Sequence, residues 1–121
     1  MLSRMRRRDL VWHEGERAAW QRYRDRGYRL VARNWRCRVG ELDLVVERGG
    51  TLVFCEVKAR ASALAGPFDA VTPAKQRKVR AVAEAFLLAT RARPRACRFD
   101  VASVVLDRDG TPRVHVFEDA F

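Results

Sequence analysis

Five charged residues stand where apolar ones would be expected. Residues 40–60, GELDLVVERGGTLVFCEVKAR, read as two apolar strands around Gly49-Gly50, yet one arm carries Glu41 and Asp43 and the other Glu56 and Lys58. Two consecutive glycines suit a type I′ turn, which needs positive φ at both central residues. That turn pairs Arg48 with Thr51, and the same register sets Asp43 against Glu56 and Glu41 against Lys58. Directly opposed residues share a face, with Cβ atoms about 5 Å apart, so the four groups cluster. Two carboxylates that close repel unless a proton or a cation lies between them. Hard oxygen donors at that spacing suit a divalent ion such as Mg²⁺. A bulge would undo the register, and a solvated salt-bridge patch on an open face is the competing reading. The fifth residue, Glu16, lies four positions from both Trp12 and Trp20, on the apolar stripe of an expected helix. A carboxylate there is costly unless it is paired or metal-bound; a neighbouring arginine or a cation would each serve.

The elements that must position these groups follow from local signals. Asp9 or a neighbour can cap a helix ending near Arg26, with Gly27 as its stop. Its stripe is Trp12, Ala19, Trp20 and Tyr23, with Arg17, Gln21 and Arg24 on the wet side. Residues 28–37 alternate as a first strand, and the two arms of the hairpin are the second and third. Gly66-Pro67 marks residues 61–71 as loop. Thr72-Pro73 is a helix start, an N-cap followed by proline at the first helical position. That helix reaches about Thr90 on Val79, Val82, Ala83, Phe86 and Leu87, and Pro94 blocks any extension. Residues 97–106 form a fourth strand, 107–110 a turn and 113–117 an edge strand. The order αβββαββ predicts an α/β fold with a mixed central sheet flanked by helices.

"GELD", then "EVK" on the next strand, then a helix opening in "PAKQRK" resembles the PD-(D/E)xK nuclease constellation. More broadly, residues 13–60, with "VTPAKQRKVRAVAEAFL" and "CRFDVASV", are similar to the YraN-like family of small bacterial proteins, which looks related to archaeal Holliday-junction resolvases. The departures are Trp12 where the family often has glycine and Cys55 where an aliphatic is usual. The resemblance implies a restriction-endonuclease-like fold and a metal-dependent endonuclease. Asp43, Glu56 and the helix residue Glu16 would then hold Mg²⁺ or Mn²⁺, together with the Val57 carbonyl. Lys58 would position or deprotonate the attacking water. Glu41 would orient Lys58 or form a purely structural ion pair. Lys75 and Gln76 would contact the nucleic-acid backbone, with a solvated helix start as the bland alternative. Asn34 and Asp100 recur in the family blocks and are read as turn or strand-end hydrogen-bonding residues. His13 and His115 are isolated and receive no role.

The composition limits the classes further. The chain has 121 residues and a net charge of +10, with 25 basic and 15 acidic residues. One domain is expected over residues 9–121, preceded by a basic, flexible arm over residues 1–8 that adds phosphate contacts. Such a charge excess suggests a polyanionic partner, DNA first. Only three of the basic residues are lysines, and one is Lys58, where a compact point charge differs from a guanidinium. No apolar run approaches the ~20 residues of a membrane span, and no signal-peptide pattern is present. Cys37, Cys55 and Cys97 fit neither a disulfide framework nor a zinc site. A reducing cytoplasm is therefore the expected location, with no membrane partner and with room for a homodimer. Two other classes remain: a module of this fold that binds nucleic acid without cutting it, and a charged cluster with only a structural role.

Overall fold

The computed structural model describes residues 7–62 and 71–121. Seven elements follow in the expected order: α1 (Arg7–Asp25), β1 (Arg29–Arg36), β2 (Glu41–Arg48), β3 (Thr51–Ala61), α2 (Pro73–Thr90), β4 (Ala96–Leu106) and β5 (Pro112–Phe117). Helix α1 starts at Arg7, and the rest of the basic arm lies outside the described residues, as does most of the loop read over residues 61–71.

The strands form one mixed sheet in the order β1-β2-β3-β4-β5. Strands β1, β2 and β3 are an antiparallel meander. Helix α2 carries the chain over to β4, which runs parallel to β3 from Thr51↔Ala96 to Ala61↔Leu106. Strand β5 folds back antiparallel on β4 as an edge. This is the restriction-endonuclease-like arrangement. Local chemistry accounts for the connections. Gly49 and Gly50 take φ of 59° and 84° in the hairpin turn. Thr72 caps α2 by accepting from the Lys75 amide at 3.2 Å, Pro73 follows, and Arg91 in the left-handed region ends the helix.

Each face of the sheet buries one helix. On the first, Ala18, Ala19 and Tyr23 of α1 pack on Leu44, Val46, Val53, Cys55, Val57, Ala102 and Val104. On the second, Val79, Val82, Ala83 and Phe86 of α2 pack on Val45, Leu52, Phe54 and Phe99. Burying each large aliphatic or Phe side chain is worth about 1.5–3 kcal/mol. Edge-to-face contacts of Phe86 with Trp35 and Phe54 fix the α2 layer further. All three cysteines are free, and Cys55 belongs to the core. Among the described residues no helix is long and apolar enough to cross a membrane.

Helix α1 comes unusually close to the sheet at one point. A Cβ added at Gly15 would overlap the Cβ of Ala59 on β3. Glycine at that position lets the helix descend, and the next residue is Glu16.

Candidate active site

The hairpin register holds from Arg48↔Thr51 to Leu44↔Cys55, as the two-glycine turn requires. It then stops. Asp43 Oδ2 accepts from the Val57 backbone amide at 2.8 Å, so a side chain occupies the place of a ladder bond. The expected facing pairs Asp43–Glu56 and Glu41–Lys58 are therefore not part of the ladder. Beyond Cys55, β3 continues on β4 alone, with Glu56 beside Val101 and Lys58 beside Ser103.

The other side of Asp43 is disturbed as well. Arg33 pairs with Leu44 and Trp35 with Leu42, which puts Asn34 against Asp43. Asn34 has φ of 52° in the middle of β1, and a single αL residue interrupts strand geometry. Leu42 packs with the α2 layer and Leu44 with the α1 layer, although alternate residues of a regular strand share a face. The backbone thus departs from the pleat at Asp43, between two otherwise regular segments.

Glu56 lies on the α2 side, where Lys75 Nζ approaches its Oε1 at 3.2 Å. The N-terminus of α2 thus brings a cation to the acid, an arrangement that the sequence reading assigned to phosphate. Gln76 turns its Nε2 to the Val71 carbonyl at 2.8 Å and ties the helix start to the incoming chain. Glu41 pairs with Arg36 at 3.0 Å, the structural ion pair of its two alternatives, with arginine in the place of Lys58. Lys58 is half-buried on β3 and makes no ion pair with a described residue. A cleft of about 320 Å³ separates the β1–β2 turn from α2, with Arg36, Lys75 and Lys78 among its walls.

Glu16 is 3% exposed on α1. Its Oε1 accepts from Asn34 Nδ2 at 3.0 Å and lies 3.6 Å from Arg33 Nε. Its Oε2 and Asn34 Oδ1 are buried without a hydrogen-bond partner among the described residues. Of the two partners expected for Glu16, a neighbouring arginine or a cation, the structure supplies the arginine, Arg33; composition and spacing gave no sign of the Asn34 contact beyond an asparagine tolerant of αL within a strand.

Charge around Asp43 is poorly balanced. Burial holds its carboxyl up to about 7, and Glu56, Glu16 and Glu41 push the same way against the Val57 amide. Burial also raises the Glu16 carboxyl, opposed by Asn34 and Arg33. Asp43 and Glu56 offer hard oxygen atoms of the kind a small divalent cation takes, although Glu16, Glu41 and Glu56 each already have a basic partner. Among the described residues no three His, Cys, Asp or Glu side chains converge as one metal-holding group. The donor set therefore suits an ion bound by one or two carboxylates with water and substrate oxygens, a mode common for Mg²⁺.

Fold and site define an α/β protein of the restriction-endonuclease-like class, with acids gathered where the central hairpin opens. The chain belongs to the family described as "Uncharacterised protein family UPF0102", whose model matches residues 15–104; this agrees with the YraN-like resemblance. It is 44% identical over 112 residues to a UPF0102 protein of Symbiobacterium thermophilum, covering 92% of this chain and 95% of the relative. A UPF0102 protein of Clavibacter michiganensis is 44% identical over 117 residues, 96% and 99% of the two chains. One from Ralstonia nicotianae is 48% identical over 101 residues, 79% and 74%.

Proposed function

We propose that the protein is a metal-dependent DNA endonuclease of the PD-(D/E)xK type, selective for branched DNA and working in the cytoplasm. The observation that carries this reading is Asp43, buried beside Glu56 and held up to about 7 with too little positive charge around it. Asp43 and Glu56 would hold Mg²⁺ or Mn²⁺ with the Val57 carbonyl, while Glu16, engaged by Asn34 and Arg33, stands outside that pair. The ion supplies polarisation of the scissile phosphate and a lowered pKa for water. The Val57 amide fixes Asp43 Oδ2, so the carboxylate is oriented before substrate arrives. Lys58 Nζ would position or deprotonate the attacking water and offset charge that develops on phosphorus oxygens. Lys75 stands at the start of α2, where backbone N–H groups favour phosphate. Its bond to Glu56 keeps that carboxylate neutralised until an anionic substrate competes for the lysine. A branched junction presents two strands to cut, which a homodimer would serve.

A second reading is favoured by the Lys75–Glu56 ion pair, which satisfies one of the two acids without a metal. In it the protein is a DNA- or RNA-processing accessory of the same fold that binds nucleic acid and cleaves nothing. The decisive experiment offers labelled four-way junction, flap, single-stranded and duplex DNA with Mg²⁺ or Mn²⁺. Wild type should cut at least one of them, and Glu56→Ala and Lys58→Ala should each lower the rate by at least about 10²–10³. Binding without cutting on every substrate would move the conclusion to the second reading.

A further inference from the structure

Strands β4 and β5 extend the sheet past the acids on the side of α2. Their registers set Lys58 beside Ser103 and Ser103 beside His115, and the next row is Arg60, Val105 and Arg113. Laterally paired residues share a face. It is the face of Glu56, because Ala59, Ala102, Val104 and Val114, which alternate with these positions, pack on the α1 side. Helix α2 sets its buried side chains on this face at Phe54 and Phe99. Farther along, the surface opens: Ser103 and Val105 are half-buried, and His115 and Arg113 are exposed. A cleft of about 220 Å³ lies there, with Ser103, Val105, Arg113 and His115 among its walls.

The two rows hold Lys58, Arg60, Arg113 and His115 and no acid. Arg113 does pair with Asp107 at 3.1 Å, but its side chain is 70% exposed, and exposed pairs of this kind are weak. The His115 ring rests on Phe117, 4.2 Å between centroids. Phe117 stands in the row of Val101 and Glu56, so the imidazole leans toward the acids.

We propose that this face is a phosphate track, on which the nucleic-acid strand leaving the acids crosses β4 at Ser103 and reaches β5 at His115. The Ser103 hydroxyl and a His115 ring N–H donate to a backbone phosphate flanking the scissile one, and Arg113 takes the next. Hydroxyl and guanidinium donors hold phosphate oxygens without reading sequence, and imidazole keeps a ring N–H in either charge state. Each step between strands is about 4.8 Å, so the track runs about two such steps from Lys58. The proposal rests on the nucleic-acid reading of the neighbouring acids, but requires neither metal nor cleavage.

The test is equilibrium binding of the full chain to labelled four-way junction and single-stranded DNA in EDTA, over about 50–200 mM salt. His115→Glu puts a carboxylate where the phosphate would lie, and like charges facing across an interface are strongly disfavoured, so affinity should fall at least about tenfold. Leu88→Glu adds a negative charge at an exposed position of α2; screening should hold its effect below about twofold. Arg113→Gln should lower the slope of log K against log salt by about 0.7–0.9, the share of one phosphate contact. If His115→Glu does not fold by circular dichroism, the Arg113→Gln slope decides. Equal losses in His115→Glu and Leu88→Glu, or none in either, overturn the track and leave the endonuclease reading standing where wild type cuts. A selective loss in His115→Glu, with a wild type that binds and never cuts, supports the track and removes the endonuclease. Failure of wild type to bind any DNA at low salt sinks both.

Discussion

Asp43 and Asp100 are both buried acids on neighbouring parts of one sheet, 7% and 0% exposed, yet their surroundings are opposite. Asp100 is saturated. It accepts from Tyr23 Oη at 2.6 Å, from Arg98 Nε and Nη2 at 2.8 and 2.9 Å, and from the Asp119 amide at 3.0 Å. Arg98 in turn reaches Tyr28 and Glu118. Asp43 has the Val57 amide and otherwise faces the field of three other carboxylates. A buried acid with complete compensation joins α1, β4 and the C-terminal segment; its role is structural. One that burial and neighbouring acids raise without a basic partner is a candidate functional position.

The contrast can be broken most forcefully at Asp100. Asp100→Asn keeps the shape but leaves Arg98 with only the half-exposed Glu118 as counter-charge and turns an amide donor toward other donors. Removing one partner of a buried pair costs about 3–5 kcal/mol, so denaturant unfolding should show a loss of that size. A loss below about 1 kcal/mol would mean that the network is not structural.

Asp43→Asn should have the opposite sign. The folded chain keeps the Asp43 proton up to about pH 7, whereas the unfolded chain releases it near 3.8. Between those values the native state binds more protons, so this stabilisation is complete below about pH 4 and is lost as pH rises through 7. The variant should therefore match wild type at pH 4 and exceed it at pH 8, by up to about 4 kcal/mol. Mg²⁺ should raise the melting temperature of wild type at pH 8 and leave that of the variant unmoved. Parallel pH profiles for the two proteins would show that Asp43 is compensated after all.

Tyr23→Phe sharpens the comparison from the satisfied side. It deletes one donor to Asp100 while the arginine and the Asp119 amide remain, so about 1.5–3 kcal/mol should be lost. The pH dependence between 4 and 7 should stay that of wild type. A changed slope in that window would couple the two acids, which the geometry does not.

Much of this architecture is legible in the chain. Gly49-Gly50 set the turn and five residue pairs of register, and Thr72-Pro73 set the start of α2. The stripe of Val79, Val82, Ala83 and Phe86 named the buried face of α2, and Glu16 was conspicuous because it broke the stripe of α1. Extrapolating the hairpin register past Leu44 failed. Turn geometry governs a ladder only while backbone groups bond to each other, and the Asp43 carboxylate takes the Val57 amide instead. Asp100 was read as a strand-end residue because two of its donors, Tyr23 at 77 positions and the Asp119 amide, leave no local trace, although Arg98 stands two positions away on the same strand.

The sequence by itself therefore determined the elements, their order, the buried faces and the identity of the unusual acids. Periodicity, capping and turn preference act over a few residues and need no knowledge of the rest. The tertiary structure alone decided which acid is compensated, where the hairpin opens, and that Lys75 rather than Lys58 is ion-paired to an acid. Charge balance depends on groups from distant segments, and only packing of α1 and α2 on opposite faces of the sheet brings those groups within reach.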